Sequence, residues 1–251
     1  MAAHVQEGED LMAVPELPVT QEEQGSFAGD LMGMFNFFID PIAAAKLIRH
    51  KWFWVGPMAL ICIITGVVLY LTIPFMIHVA EVSPPPPSMD AATYQQRLPM
   101  IIGFYKFLPI IFVFVVVIFS LIGTLVLWGT CSVMQIKAKF GWLFNMLAGA
   151  GLIPALQAIA TVLVLKGKGE VNSQAELQPP LGLDIFMPET ANKLLLAFVG
   201  FFTPFQIWYI VILGLTFAFA FKVSKGKAFV AITPVVLIPL AFKLLGAAFQ
   251  K

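Results

Sequence analysis

Long apolar runs dominate the chain. Five of them, at about 53–79, 107–134, 140–165, 194–221 and 228–249, contain no Asp or Glu, and each exceeds the roughly 20 helical residues that cross about 30 Å of hydrocarbon. Inside lipid a segment must satisfy its own backbone hydrogen bonds, as a helix or as part of a closed barrel. Barrel strands alternate lipid-facing and lumen-facing residues, and these runs do not. The pattern predicts an all-α membrane protein, a five-span transmembrane helical bundle. Pro74, Pro154, Pro204, Pro234 and Pro239 fall within the runs and predict bent helices.

Polarity changes character just ahead of the first run, in FFIDPIAAAKLIRHKWFW, Phe37 to Trp54. Asp40 offers an N-cap acceptor, and Pro41 follows with a fixed φ and no amide hydrogen to leave unpaired, so a helix starts at Pro41. At 100° per residue Ala44, Ala45, Ile48 and Trp52 share one face, with Lys46, Arg49 and His50 beside it. The bundle is therefore expected to be preceded by a short amphipathic interfacial helix. Lys46, Arg49, His50, Lys51, Trp52 and Trp54 form its candidate membrane-interface anchor, since cations attract anionic headgroups and Trp rings settle at the interface.

Composition agrees with this reading. Of the 251 residues 59% are hydrophobic, 24 are Phe and only 12% are charged, against the roughly 45–50% apolar content of soluble domains. The net charge of +1 conceals an uneven distribution. Glu7, Glu9, Asp10, Glu16, Glu22, Glu23 and Asp30 precede the first cation, Lys46, which marks residues 1–34 as an acidic disordered tail and 35–251 as the transmembrane domain. The first apolar run begins too far in for a cleavable leader. Cys62 and Cys131 lie inside apolar runs and read as small buried hydrophobes.

Cations also set the expected orientation. Lys46, Arg49 and Lys51, Lys137 and Lys139, and Lys222, Lys225 and Lys227 crowd three short links on one side. The seven others are spread through two loops of nearly thirty residues and the C-terminal end. Dense Lys and Arg in short links mark the cytoplasmic side, so the N-terminus is expected in the cytoplasm and the C-terminus outside. Of the outer loops, one holds Ser83 followed by Pro84 to Pro87, a stiff spacer or rim. The other holds LGLDIFMPET from Leu181, whose apolar residues suit the outer membrane surface.

Candidate chemistry is sparse. Catalytic motifs such as GxSxG, a P-loop or a zinc-protease helix do not occur, and no enzymatic activity and no cofactor is expected. His4, His50 and His78 are too scattered for a metal site. The acidic N-terminal segment disfavours nucleic acid. Lys243 lies 16 residues past Lys227, about 24 Å along a helix, and is expected to snorkel at the opposite interface. Polar residues within the runs, among them Ser120, Thr124, Asn145, Gln157, Thr203, Gln206 and Thr216, suit hydrogen bonding between helices. Asn145, Gln157, Thr203 and Gln206 are also the candidate polar crevice, where Pro154 and Gln157 on span three face Pro204 and Gln206 on span four.

The segments DPIAAAKLIRHKWFW, KFGWLF, FFTPFQIWYIVILGLTFAFAF and VSKGKAFVA resemble the Ypt-interacting protein (Yip) family in its bacterial branch. The likeness runs from about Phe35 to the C-terminus and is most specific from Phe201 to Val230. It implies a five-span protein of the bacterial cytoplasmic membrane with a cytoplasmic N-terminus. Eukaryotic members bind Rab-type GTPases through a DLYGP-type motif, which this chain lacks, and that counts against a small GTPase as partner. The resemblance implies a protein that organises or shapes its membrane by binding proteins or lipids. Membrane lipids are the expected partners, with the acidic tail as a docking arm for a protein, and self-association into a homo-oligomer stays open. The alternative is a small transporter or permease component with spans three and four lining a path.

Overall fold

A computed structural model of the chain describes residues 27–85, 89–188 and 192–249, and most of the expected tail, 1–26, lies outside them. Among the described residues the regular structure is helical throughout, without a strand. Three short helices, α1 (Phe27–Gly33), α2 (Asn36–Ile39) and α3 (Pro41–Leu47), lead into α4 (Val55–Val82), α5 (Ala91–Val133), α6 (Phe140–Ala150) and α7 (Leu152–Lys168). A 3₁₀ turn at Leu183–Phe186 precedes α8 (Lys193–Val199), α9 (Pro204–Phe221) and α10 (Lys225–Phe249). Five helices are long and apolar enough to cross a membrane: α4, α5, α6–α7 taken together, α9 and α10. The protein is an all-α, multi-pass integral membrane protein.

The start of α3 follows its sequence signal. Asp40 Oδ1 accepts from the backbone N–H groups of Ile42, at 3.0 Å, and Ala43, at 2.9 Å, with Pro41 at the first helical position. Ala44, Ala45 and Ile48 are fully buried, because the apolar face of the helix packs onto α9 and α6. Trp52 does not share that burial and is 62% exposed, since the helix ends at Leu47 and the turns that follow re-aim the chain. Helix already runs from Phe27 and Met34 is buried, so order begins inside the segment expected to be disordered. Phe37 is fully buried, stacked on Phe53 at 5.6 Å between centroids. Gly149 makes room for it, since a Cβ there would lie 2.6 Å from the Phe37 ring.

The spans depart from their expected limits where caps override hydropathy. α5 starts at Ala91, well before 107, because Asp90 caps it by accepting from the Thr93 N–H at 2.9 Å and the Thr93 hydroxyl at 2.6 Å. Those bonds also hold the Asp90 carboxyl below its ordinary pKa. Its 43 residues extend about 65 Å at 1.5 Å each, so the turns bearing Arg97 and Lys106 continue beyond the apolar slab. Tyr94 donates to the Ala80 carbonyl at 2.7 Å and ties that extension to α4. Between α6 and α7 the regular helix is interrupted at Gly151, where Pro154 has no N–H for the Ala150 carbonyl. The fourth expected span, 194–221, is two helices: Thr203 accepts from the Gln206 N–H at 3.0 Å and Pro204 opens α9. Pro204 therefore starts a helix instead of kinking one.

The helices differ in what surrounds them. Of the most apolar stretch of each, 11% is buried inside the protein in α4 and in α5, against 44% in α6–α7, which makes α6–α7 the centre of the bundle. Leu143, Met146, Ile153, Leu213, Phe217 and Ile232 fill the core. Ile63, Val67 and Tyr70 on α4 and Phe107 and Phe114 on α5 point outward, a disposition suited to lipid. Gly214 allows close approach of α9 to α10, where a Cβ would meet the Phe229 ring at 2.6 Å.

Candidate functional site

Most in-span hydroxyls bond within their own helix. Ser120 donates to the Val116 carbonyl at 2.8 Å, Thr124 to Ser120 at 2.7 Å and Thr161 to Gln157 at 3.0 Å. A hydroxyl four residues past a carbonyl reaches it more readily than it reaches a neighbouring helix. Two clusters do cross between elements, and they sit at opposite ends of the bundle.

At the end that carries the dense basic links, Asn145 on α6 is 2% exposed. Its Nδ2 donates to the carbonyls of Ile48, at 2.8 Å, and His50, at 2.7 Å, while its Oδ1 accepts from the Trp54 N–H at 3.0 Å. The side chain thus takes up backbone groups left over where α3 ends and α4 begins. Around this clasp stands the predicted anchor set. Lys46 and Lys51 are exposed, with Lys51 Nζ 5.4 Å from the Trp52 ring centroid. Arg49 and Lys139 both lie over the Trp142 ring, at 5.5 and 5.1 Å. Trp54 turns inward against Phe144, 5.4 Å between centroids. His50 Nδ1 meets Asp30 Oδ1, both side chains largely buried, and Trp208 on α9 donates to the Phe38 carbonyl at 2.8 Å. The segment before α4 is thereby bound to the bundle by side-chain to backbone bonds.

Asn145 is accordingly no part of the predicted crevice, whereas Gln157, Thr203 and Gln206 do converge at the other end. Thr203 Oγ1 donates to Gln157 Oε1 at 2.9 Å while accepting from the Gln206 N–H. Gln157, Thr161, Gly200, Phe201, Gln206 and Lys243 line a vestibule of about 370 Å³. The break between α8 and α9 supplies Gly200 and Phe201. α7 supplies a stripe one helical face wide, Pro154, Gln157, Ala158 and Thr161.

Beneath the vestibule lies an apolar chamber of about 570 Å³ among α4, α5, α6–α7, α9 and α10, open at its side where Phe119, Ile122 and Phe242 are exposed. Ile61, Phe119, Leu147, Val235, Ile238 and Phe242 are among its walls. The two volumes meet at Pro154, Ala158 and Pro239, which line both. Each falls in the range of about 300–1,000 Å³ typical of small-molecule sites. Among the described residues no Asp or Glu lines either.

Lys243, expected near the opposite interface, lines the vestibule at that end of the bundle, half-buried, with Asp184 in electrostatic reach. The loop after α7 folds back so that Asp184 accepts from the Gly182 N–H at 3.0 Å. A Cβ on Gly200 would lie 2.6 Å from Asp184 Oδ2, so only glycine fits beneath that carboxylate. Leu183, Ile185 and Phe186, beside Asp184, are exposed apolar side chains. The spacing of Pro239 and Lys243, one turn apart on α10, was visible in the sequence; the return of the loop was not. Nearer α7's end, Glu176 accepts from Ser173 at 2.9 Å and from Lys168 at 3.4 Å, with the Ser173 bond foremost in lowering its pKa.

The arrangement can hold an amphiphile, hydrocarbon inside and polar group at the mouth. Among the described residues no cluster of three His, Cys, Asp or Glu is placed to hold a metal. Set against protein-family models, curated proteins and solved structures, the chain matches none.

Proposed function

We propose that this chain is a non-enzymatic multi-pass protein of the bacterial cytoplasmic membrane that organises its membrane by binding lipid within the bundle. The observation that carries the reading is the pairing of an apolar chamber with a polar vestibule at Pro154, Ala158 and Pro239, a division matching the two halves of a membrane amphiphile. The resemblance to the Yip family supports it, as does the expected orientation, N-terminus cytoplasmic and C-terminus outside. The acidic segment ahead of α1 would serve as the arm that recruits a protein partner. A second reading, a small transporter with spans three and four lining the path, is favoured by one feature: the interrupted fourth span opens backbone onto the vestibule beside α7.

Native mass spectrometry of the full chain released from gentle detergent tests the reading. Phospholipid adducts are expected on the wild type and their loss on Ala158→Phe, which places a ring at the junction of the two volumes. Bare wild-type protein, or adducts equally abundant on both, defeats it. Flux of a labelled lipid between leaflets of reconstituted vesicles, abolished by the same substitution, would move the assignment to transport.

A further inference from the structure

Resting on that reading, we infer that the vestibule selects a lipid whose headgroup carries a phosphate, seated on Lys243 and the amides of Gln157 and Gln206. The mouth carries hydrogen-bond donors that have no acceptor among the described residues. Gln157 spends its Oε1 on Thr203 and its Nε2 donates to nothing among the described residues. Among the described residues neither the Gln206 side-chain amide nor the Lys243 ammonium makes a hydrogen bond. Lys243 and Asp184 interact across a distance at which no ion pair closes, and the carboxylate is already engaged by the Gly182 N–H. Partly accessible donors without protein acceptors are available to a ligand, and a phosphate offers several acceptor oxygens and a negative charge.

Geometry adds two points. α9 begins at Pro204, and its N-terminal turn, carrying Gln206, borders the vestibule, so the positive end of an 18-residue helix faces the same space as Lys243. The apolar chamber beneath adjoins that space at Pro154, Ala158 and Pro239, so a phosphate attached to hydrocarbon is the ligand that would fill both volumes. A free anion would leave the larger one empty.

The test titrates the full chain in detergent with dioctanoyl phosphatidic acid, with dioctanoylglycerol and with inorganic phosphate. Phosphatidic acid is expected to bind about tenfold tighter than dioctanoylglycerol, the scale of one charge-assisted hydrogen bond. Lys243→Gln should erase that preference, Lys243→Arg should keep it, and inorganic phosphate should show no saturable binding. Lys243 is on an accessible part of α10, and an unchanged melting curve will confirm that Lys243→Gln folds. Equal binding of both lipids to the wild type, a preference that survives Lys243→Gln, or inorganic phosphate binding as tightly as the lipid would overturn the inference. If both lipids bind equally and Ala158→Phe removes both, the lipid reading stands and the headgroup inference falls. If neither lipid binds, both fall.

Discussion

The two polar clusters of this bundle use similar side chains to opposite ends. At the basic end Asn145 makes three hydrogen bonds to backbone groups of residues 48–54, which satisfies most of its capacity and leaves no room for a ligand. At the far end Gln157 makes a single side-chain bond, to Thr203, and faces open volume beside Gln206 and Lys243. A polar side chain in an apolar core rigidifies when its partners are all supplied by the fold. When they are not, the remaining capacity is free for something else. The contrast separates a structural amide from a candidate binding amide without reference to sequence position.

That contrast breaks most readily at the saturated end. Asn145→Leu strands the Ile48 carbonyl and the Trp54 N–H, each costing about 1–3 kcal/mol when buried and unpaired, and leaves the His50 carbonyl only the Phe53 N–H at 3.4 Å. The loss is expected to reach roughly 3 kcal/mol or more, read as a fall in melting temperature by circular dichroism in detergent. Gly149→Ala comes next. The added Cβ would lie 2.6 Å from a Phe37 ring that is fully buried and stacked on Phe53, so the ring has nowhere to swing, and overpacking of this kind costs about 1–3 kcal/mol. Faster proteolysis within residues 27–47 is the readout, because α1 to α3 would loosen from the bundle.

Much of this was legible in the chain and some was not, for identifiable reasons. The five spans follow from apolar runs that no acid interrupts, and the start of α3 follows from Asp40 and Pro41. Thr203 and Pro204 carry the same kind of signal, a capping oxygen ahead of a proline, but it sits inside an apolar run whose length masks the interruption. The early start of α5 was hidden because hydropathy falls at Arg97, Pro99 and Lys106 although the helix does not. Asn145 and Gln157 look alike in sequence, each a lone amide in span three. Only tertiary structure shows that one meets backbone more than 90 residues away while the other meets a cavity. Lys243 was legible as a residue far along α10; its nearness to Asp184 depends on a loop that folds back across the mouth.

Two smaller effects sharpen the comparison. Thr216 is fully buried and its hydroxyl has no hydrogen-bond partner among the described residues, so Thr216→Val removes an unsatisfied group without creating a void. It should raise stability, by up to about 1 kcal/mol, seen as a modest rise in melting temperature. Gln157→Leu removes one bond between spans, worth about 0.6 kcal/mol in a membrane. It should leave the melting temperature nearly unchanged and reduce retained phospholipid, the reverse of Asn145→Leu, which should cost stability first.

The most direct measurement is the melting temperature of the full chain in detergent as phosphatidylglycerol is added, for the wild type and for Ala158→Phe, each against its own lipid-free baseline. A ligand held by the folded state at a hundred times its dissociation constant adds about 2.7 kcal/mol. The wild type should therefore rise steadily with lipid while Ala158→Phe stays flat. Equal rises in the two proteins would place the lipid around the bundle and not within it, and would contradict the account.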